Sequence, residues 1–328
     1  MTKEKAREVF EKLFKNELSE EEAKELLVSL YQKGETPAEI AAAAEVMREY
    51  SVKLPVSKEL QEKLIDIVGT GGDKSNSFNI SSTTALLVSA IGCYVAKHGN
   101  RSITSKSGSA DMLEALGINL NLTPENQVKM LEAVRFTFIF AINHHPAMKH
   151  IMPIRKSLNH RTIFNILGPL TNPAGAKKYL LGVFSPEFIE PIATALTLMD
   201  VKSAMVVSSE DGMDEISIAA PTKAIYYDGM RMRDMVINPK TYGINGSKED
   251  LIGGDAKENA KITRGILSGE IKGPKRDAVL LNAAASLFVD KKVNSIEEGL
   301  KVAAETIDSK KAINHLEKII EISKKLGK

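Results

Sequence analysis

Four stretches of the 328-residue chain combine residue types and spacings suited to binding a ligand. In the first, Gly69-Thr70-Gly71-Gly72-Asp73 follows a short apolar run and leads through Ser77 to Asn79-Ile80-Ser81-Ser82-Thr83, which reads as a helix start. Glycines let backbone N–H groups close on an anion, and a helix N-terminus adds favourable partial charge, so this order is a phosphate-binding one. The glycine spacing fits neither the Walker pattern nor the dinucleotide fingerprint. The second stretch is Lys97-His98-Gly99-Asn100-Arg101, continuing through Ser102-Ile103-Thr104-Ser105-Lys106-Ser107-Gly108-Ser109 to Asp111. Cations and hydroxyls gathered at a strand end suit a polyanion, because each phosphate oxygen takes charge-assisted donors. Taken singly, either loop also fits a solvated turn, with Ser109 capping a helix over residues 110–116. Together they imply a large anion.

The third stretch, Asp211-Gly212-Met213-Asp214-Glu215, puts adjacent carboxylates beyond another apolar run. Such a pair suits a hard cation such as Mg2+, which keeps several waters and is shared with substrate phosphates; by itself it also fits an ordinary acidic turn. The fourth runs from His144-His145-Pro146 through Arg155 and Arg161-Thr162-Ile163-Phe164-Asn165 to Gly168-Pro169-Leu170-Thr171-Asn172-Pro173. An arginine in an apolar setting pairs bidentately with a substrate carboxylate, and spacing does not choose between Arg155 and Arg161. The paired histidines lack a third ligand at metal-site spacing, so no zinc centre is expected. Cys93, the single cysteine, lies in an apolar run and reads as a buried, inert thiol.

These stretches need a scaffold. Up to residue 50 the apolar positions recur at helical spacing, as in Val9, Phe10, Leu13 and Phe14. Ser19 with Glu22, and Thr36 with Pro37 and Glu39, are helix-start signals, and the helical region ends near Pro55. Short apolar runs of strand length then alternate with helical segments, at residues 64–68, 94–96, 138–141, 179–184 and 204–207. That alternation predicts an α/β fold with a largely parallel sheet. Later helices are expected from Ser185-Pro186-Glu187, over residues 256–267, and along the charged tail at 296–325. The connection over 143–173 is long and poorly periodic, which marks it for function.

Forty-four Lys and Arg against 42 Asp and Glu leave a net charge of +2, so no global excess recommends nucleic acid or a membrane as partner. No apolar run approaches the roughly 20 residues that span a bilayer. With one cysteine and a charged, amphipathic beginning in place of an apolar signal core, a reducing cytoplasm is the expected setting.

The glycine loop, the Lys97-His98-Gly99-Asn100-Arg101 block, Ser107-Gly108-Ser109-Ala110-Asp111 and Phe164-Asn165-Ile166-Leu167-Gly168-Pro169-Leu170-Thr171-Asn172-Pro173 together closely resemble the anthranilate phosphoribosyltransferases of tryptophan biosynthesis. The resemblance keeps block order and spacing through Asp214-Glu215 to Asn282-Ala283-Ala284-Ala285. It implies a small helical domain over 1–63 with a contribution from roughly 150–175, a large α/β domain over 64–328 like that of nucleoside phosphorylases, and a homodimer. It implies phosphoribosyl diphosphate (PRPP) on Gly69, Gly72, Asp73, Ser77, Asn79, Ile80, Ser81, Ser82, Lys97 through Ser105, and Ser109. Magnesium is implied at Ser81, Asp214 and Glu215, and anthranilate at Gly69, Asn100 and Arg155, which selects Arg155 as the carboxylate partner. No general base is assigned. Two positions depart from many relatives, Asn159 in place of glycine and Ile142 in place of proline; asparagine tolerates left-handed backbone, so the first is mild.

Overall fold

The computed structural model describes residues 1–101 and 106–327. Each of the five expected strand runs forms a strand: β1 (Leu64–Gly69), β2 (Tyr94–Gly99), β3 (Phe136–Phe140), β4 (Lys178–Gly182) and β5 (Ser203–Ser209). They lie parallel in the order β3-β2-β1-β4-β5. The chain steps outward from β1 to β2 and β3, then returns to β1's other side as β4. A crevice therefore opens beyond the carboxyl ends of β1 and β4, where ligands of open α/β sheets bind.

Side chains alternate between two cores, one on each face of the sheet, as the strand period requires. Ile65, Ile67, Val95, Phe138, Leu180 and Met205 face one core, with helices Ile80–Ile91 and Pro274–Val289. Ala96, Ile139, Tyr179, Leu181 and Val206 face the other, which is continuous with the helical domain. Burial on both faces is why these strands read as unbroken apolar runs.

The helical domain contains Lys3–Phe14, Glu20–Lys33 and Pro37–Glu49. Both expected helix starts are capping boxes: Ser19 and Thr36 accept from the N–H groups of Glu22 and Glu39, whose carboxylates bond back. Helix Met148–Lys156 and the turn Phe164–Leu167 return from the α/β part, and Ile151, Phe164 and Leu167 share a core with Phe10, Leu27 and Ile40.

Four expectations change. The sheet has two further strands, β6 (Thr222–Tyr227) and β7 (Met232–Ile237), antiparallel beyond β5, because β7 is an edge strand with few buried residues and little apolar signal. The tail is two helices, Ile296–Asp308 and Lys311–Leu326, broken at Lys310, whose φ of 64° is left-handed without a glycine. The segment after Ser185 makes a 3-10 turn, Pro186–Phe188, before helix Ile189–Thr197. Ser109 does not cap: helix Ser109–Ala115 starts at Ser109 itself, and Asp111 accepts from the Gly108 N–H at 2.9 Å.

Candidate active site

The glycine loop leaves β1 at Gly69 with Gly71 and Gly72 at φ values of 68° and 81°, left-handed positions that a Cβ would strain. The Gly71 N–H donates to Asp214 Oδ2 at 2.7 Å. A Cβ on Gly69 would collide with the same carboxylate oxygen, so glycine is what lets Asp214, which arrives from the loop after β5, lie against the end of β1. Beyond the loop, the Ser81 N–H at the start of helix Ile80–Ile91 donates to Glu215 Oε1 at 3.2 Å. The glycine loop, the helix start and the acidic pair are thus one cluster.

Lys97 lies beneath it. Its side chain is fully buried, and Nζ donates to the Ile67 carbonyl at 2.5 Å and to Ser81 Oγ at 3.2 Å. Burial lowers its pKa, opposed by the charges of Asp66, Glu215 and Asp214. Burial raises the pKa values of Asp214 and Glu215, and repulsion adds to it, from Asp73 on Asp214 and from Asp214 and Asp73 on Glu215. Neither carboxylate has an ion-pair partner among the described residues. No group of three or more metal-ligating side chains occurs among those residues. Two carboxylates beside a glycine loop fit Mg2+, a hard cation that takes few protein oxygens and keeps several waters.

Asn79 braces the loop's far end. Its amide donates to the Ser107 carbonyl at 3.2 Å, and its Oδ1 accepts from Asn259 at 2.9 Å. Ser77 pairs with Ile252 in an isolated antiparallel bridge. Asp73 accepts from the Ser75 N–H at 3.1 Å and so turns the loop. Ser82 is fully buried.

On the opposite sheet face, the His98 N–H donates to Asp66 Oδ1 at 3.2 Å. Its ring joins the Gly168 carbonyl through Nδ1 at 3.1 Å and His145 through Nε2 at 3.2 Å. Burial holds both histidines below the ordinary imidazole pKa, His145 at about 4, so both are neutral near pH 7. Asn100 is exposed beyond β2, with Oδ1 accepting from the Arg101 N–H at 2.8 Å. Arg155 is half-buried, its guanidinium 5.3 Å from the Phe164 ring centroid, with no carboxylate partner among the described residues.

Not every expected residue turns toward the cluster. Arg101 is held by Asp111 and Glu114 at 2.8 and 2.6 Å. Ser102, Ile103, Thr104 and Ser105 lie outside the described residues. Asp211 closes its own turn, accepting from Ser217 Oγ at 2.7 Å. Pattern reading missed three braces: Asn259; Asn282, which bonds both ways to the Ile216 backbone beside Glu215; and Asn172, which holds Asp66 at 2.8 Å. Asn172 and Asn282 sat inside the family blocks, but only tertiary contact reveals their task.

The family profile described as glycosyl transferase family, a/b domain matches residues 61–313, and that family's helical bundle domain matches 1–51. An anthranilate phosphoribosyltransferase of Methanobrevibacter smithii is 48% identical over 95% of this chain and 92% of its own. The chain belongs to the anthranilate phosphoribosyltransferase family. The crystal structure of the Thermus thermophilus family member has a TM-score of 0.92 at 42% identity, covering 99% of this chain and 96% of its own. The Saccharomyces cerevisiae member in complex with PRPP and Mg gives 0.85 at 28% identity, covering 93% and 86%.

Proposed function

We propose that the protein transfers the phosphoribosyl group of PRPP to the amine of anthranilate, releasing diphosphate, as a step of tryptophan biosynthesis. The observation that carries this reading is the meeting of a left-handed glycine loop, a helix start and two carboxylates, with no ion-pair partner among the described residues, at the carboxyl ends of β1 and β4. The diphosphate and ribose phosphate would lie along Gly69, Gly72, Asp73, Ser77, Asn79 to Ser82, Lys97 to Ser105, and Ser109. Asp214 and Glu215, with Ser81, would hold Mg2+, which when bound offsets charge on the diphosphate.

The reaction breaks the bond from the anomeric carbon to a diphosphate oxygen and forms one to the amine nitrogen, which then loses a proton. An aromatic amine attacks as its free base near pH 7, so the chain need supply no nucleophile, and no general base is nominated. Its work is orientation and charge. In this reading backbone N–H groups of the loop would turn to the departing anion, and Arg155, beside Gly69 and Asn100, would pair with the anthranilate carboxylate. The neutral His98 and His145 fit a site that receives a neutral amine.

Assembly as a homodimer, a cytoplasmic setting, and a division into residues 1–63, with about 150–175, and 64–328 complete the proposal. The homodimer and the division rest on the family likeness, the cytoplasmic setting on the single cysteine, and sedimentation velocity tests the first. The decisive assay follows loss of anthranilate fluorescence with PRPP and Mg2+. Turnover abolished by chelation supports the reading; PRPP binding without turnover overturns the acceptor, and no binding overturns the donor site.

A further inference from the structure

Gly182 closes β4 where the backbone alone would admit any residue, since it stays outside the left-handed region that Gly71 and Gly72 occupy. Space, not conformation, excludes a side chain. A Cβ on Gly182 would overlap the main-chain carbonyl of Asp214 and come within 3.3 Å of its Cα. Gly69, its Cα partner in the β1–β4 register, would meet Asp214 as well, at the carboxylate. The two bare strand ends form a saddle on which the acidic loop lies, the close backbone approach that a glycine in a strand marks. The Gly182 carbonyl also accepts from the Thr70 N–H at 2.9 Å, and Thr70 Oγ1 accepts from the Phe184 N–H at 3.1 Å. Gly182 therefore meets both parts of the cluster, the glycine loop through its carbonyl and the acidic loop through its missing side chain.

The acidic loop is pinned from its other side too. Met213 and Ile216, both fully buried, flank Asp214-Glu215 and anchor it in the core that helix Pro274–Val289 covers. The Met213 carbonyl accepts from the Ser209 N–H at 3.0 Å. Asn282, buried on that helix, clamps Ile216: its Oδ1 accepts from the Ile216 N–H at 3.1 Å, and its Nδ2 donates to the Ile216 carbonyl at 2.9 Å. We propose that Gly182 and Asn282 are positioning residues for the divalent cation, the first seating the acidic pair against the glycine loop and the second holding it there. The inference rests on the assignment of Mg2+ to Asp214 and Glu215 made above. Neither residue touches the cation; each acts through the backbone that carries the two carboxylates. Mg2+ demands near-ideal octahedral geometry, so a shifted pair of carboxylates binds it less well. Replacing groups that orient metal ligands typically costs about 10- to 100-fold in affinity.

Mn2+ takes the same kind of oxygen site and is seen directly by electron paramagnetic resonance, so its binding to the full chain with diphosphate present reads the site without turnover. Gly182→Ala and Asn282→Ala are each expected to weaken Mn2+ by about 10- to 100-fold. In the steady-state assay both should need more Mg2+ for half-maximal rate and leave KM for anthranilate unchanged. Asn282→Ala should regain most of its kcat at high Mg2+, a rescue that a damaged fold would not show. Gly229→Ala is the control for lost stability: its Cβ meets the Lys202 carbonyl at 2.6 Å, at the opposite end of β5 from Asp214. That variant should melt earlier than the parent yet bind Mn2+ equally well. If Gly182→Ala or Asn282→Ala binds Mn2+ like the parent, its residue has no positioning role; if Gly229→Ala weakens Mn2+ as much as they do, lost stability is the cause and the proposal fails. Should Gly182→Ala not fold, Asn282→Ala decides by the same criterion. A parent that binds no Mn2+, or an Asp214→Ala, Glu215→Ala double variant that binds it undiminished, overturns the metal assignment itself and this inference with it.

Discussion

Glu39 in the helical domain and Asp214 in the α/β domain are both buried carboxylates, and their surroundings differ in what the chain supplies. Burial pushes the Glu39 pKa up, but bonds from Lys33, the N-terminal ammonium and Thr36 more than reverse this and hold it at about 2. Asp214 receives one backbone N–H and sits near Asp73 and Glu215, and its pKa is raised. The same contrast separates two arginines: Arg101 has Asp111 and Glu114, while the half-buried Arg155 has no carboxylate among the described residues. Where the fold completes a charge, the residue holds structure together. Where it leaves a buried charge incomplete, stability is given up, and a ligand is the natural partner.

The largest test of that contrast is replacement of Asp214 and Glu215 together by Ala. We expect kcat/KM to fall by roughly a thousandfold or more, the scale of losing the main charge-stabilising group at a departing diphosphate. The residual rate should no longer respond to added Mg2+. Undiminished, metal-dependent turnover in the double variant would move the metal site elsewhere. Arg155→Ala comes next: KM for anthranilate should rise by about 10- to 100-fold, the worth of a bidentate charge pair, with little change in KM for PRPP. An unaltered acceptor KM would remove Arg155 from that role and return Arg161 to consideration.

The sequence made the parallel sheet and the glycine loop legible because both depend on local composition. Buried parallel strands must be apolar on both faces, and a loop in left-handed backbone must be glycine-rich, so residues 64–68 and Gly71-Gly72 announce themselves. β6 and β7 stayed hidden because an antiparallel edge, wet on one side, needs no continuous apolar run. The Asp214-Glu215 pair was visible as residues, but its contact with a loop more than 140 positions earlier was not. Nor does any local pattern say that Arg101 turns to Asp111 and Glu114, or that Asn282 braces the backbone beside Glu215. Resemblance to a family chose Arg155 over Arg161 where spacing left both open.

Glu39→Gln sharpens the comparison from the structural side. Removing a carboxylate that satisfies Lys33 and the Thr36 N–H should cost on the order of 2 kcal/mol, discounted because Lys33 is half exposed. Chemical denaturation near pH 7 measures it, and kcat should be unchanged. A depressed folded-state pKa contributes stability above the unfolded value and loses it as pH falls through the folded one. The cost should therefore shrink as the pH is lowered from about 4.5 toward 2, and a penalty independent of pH would mean that packing, not charge, is what Glu39 contributes.

The smallest expected effect has the opposite sign. In the metal-free protein the raised carboxyls of Asp214 and Glu215 favour the protonated fold, so their contribution is complete below the unfolded value of about 4 and is lost as pH rises toward neutrality. Asp214→Asn with Glu215→Gln mimics the protonated pair without opening a cavity. We expect this variant to be more stable than the parent by about 1 kcal/mol near pH 8, and by less near pH 5, in chelator. Mg2+ with diphosphate should narrow the gap by stabilising the parent alone, since a ligand that binds only the folded state adds stability by mass action. A variant less stable than the parent at pH 8 would show that the acidic pair is paired by the fold after all, as Glu39 is.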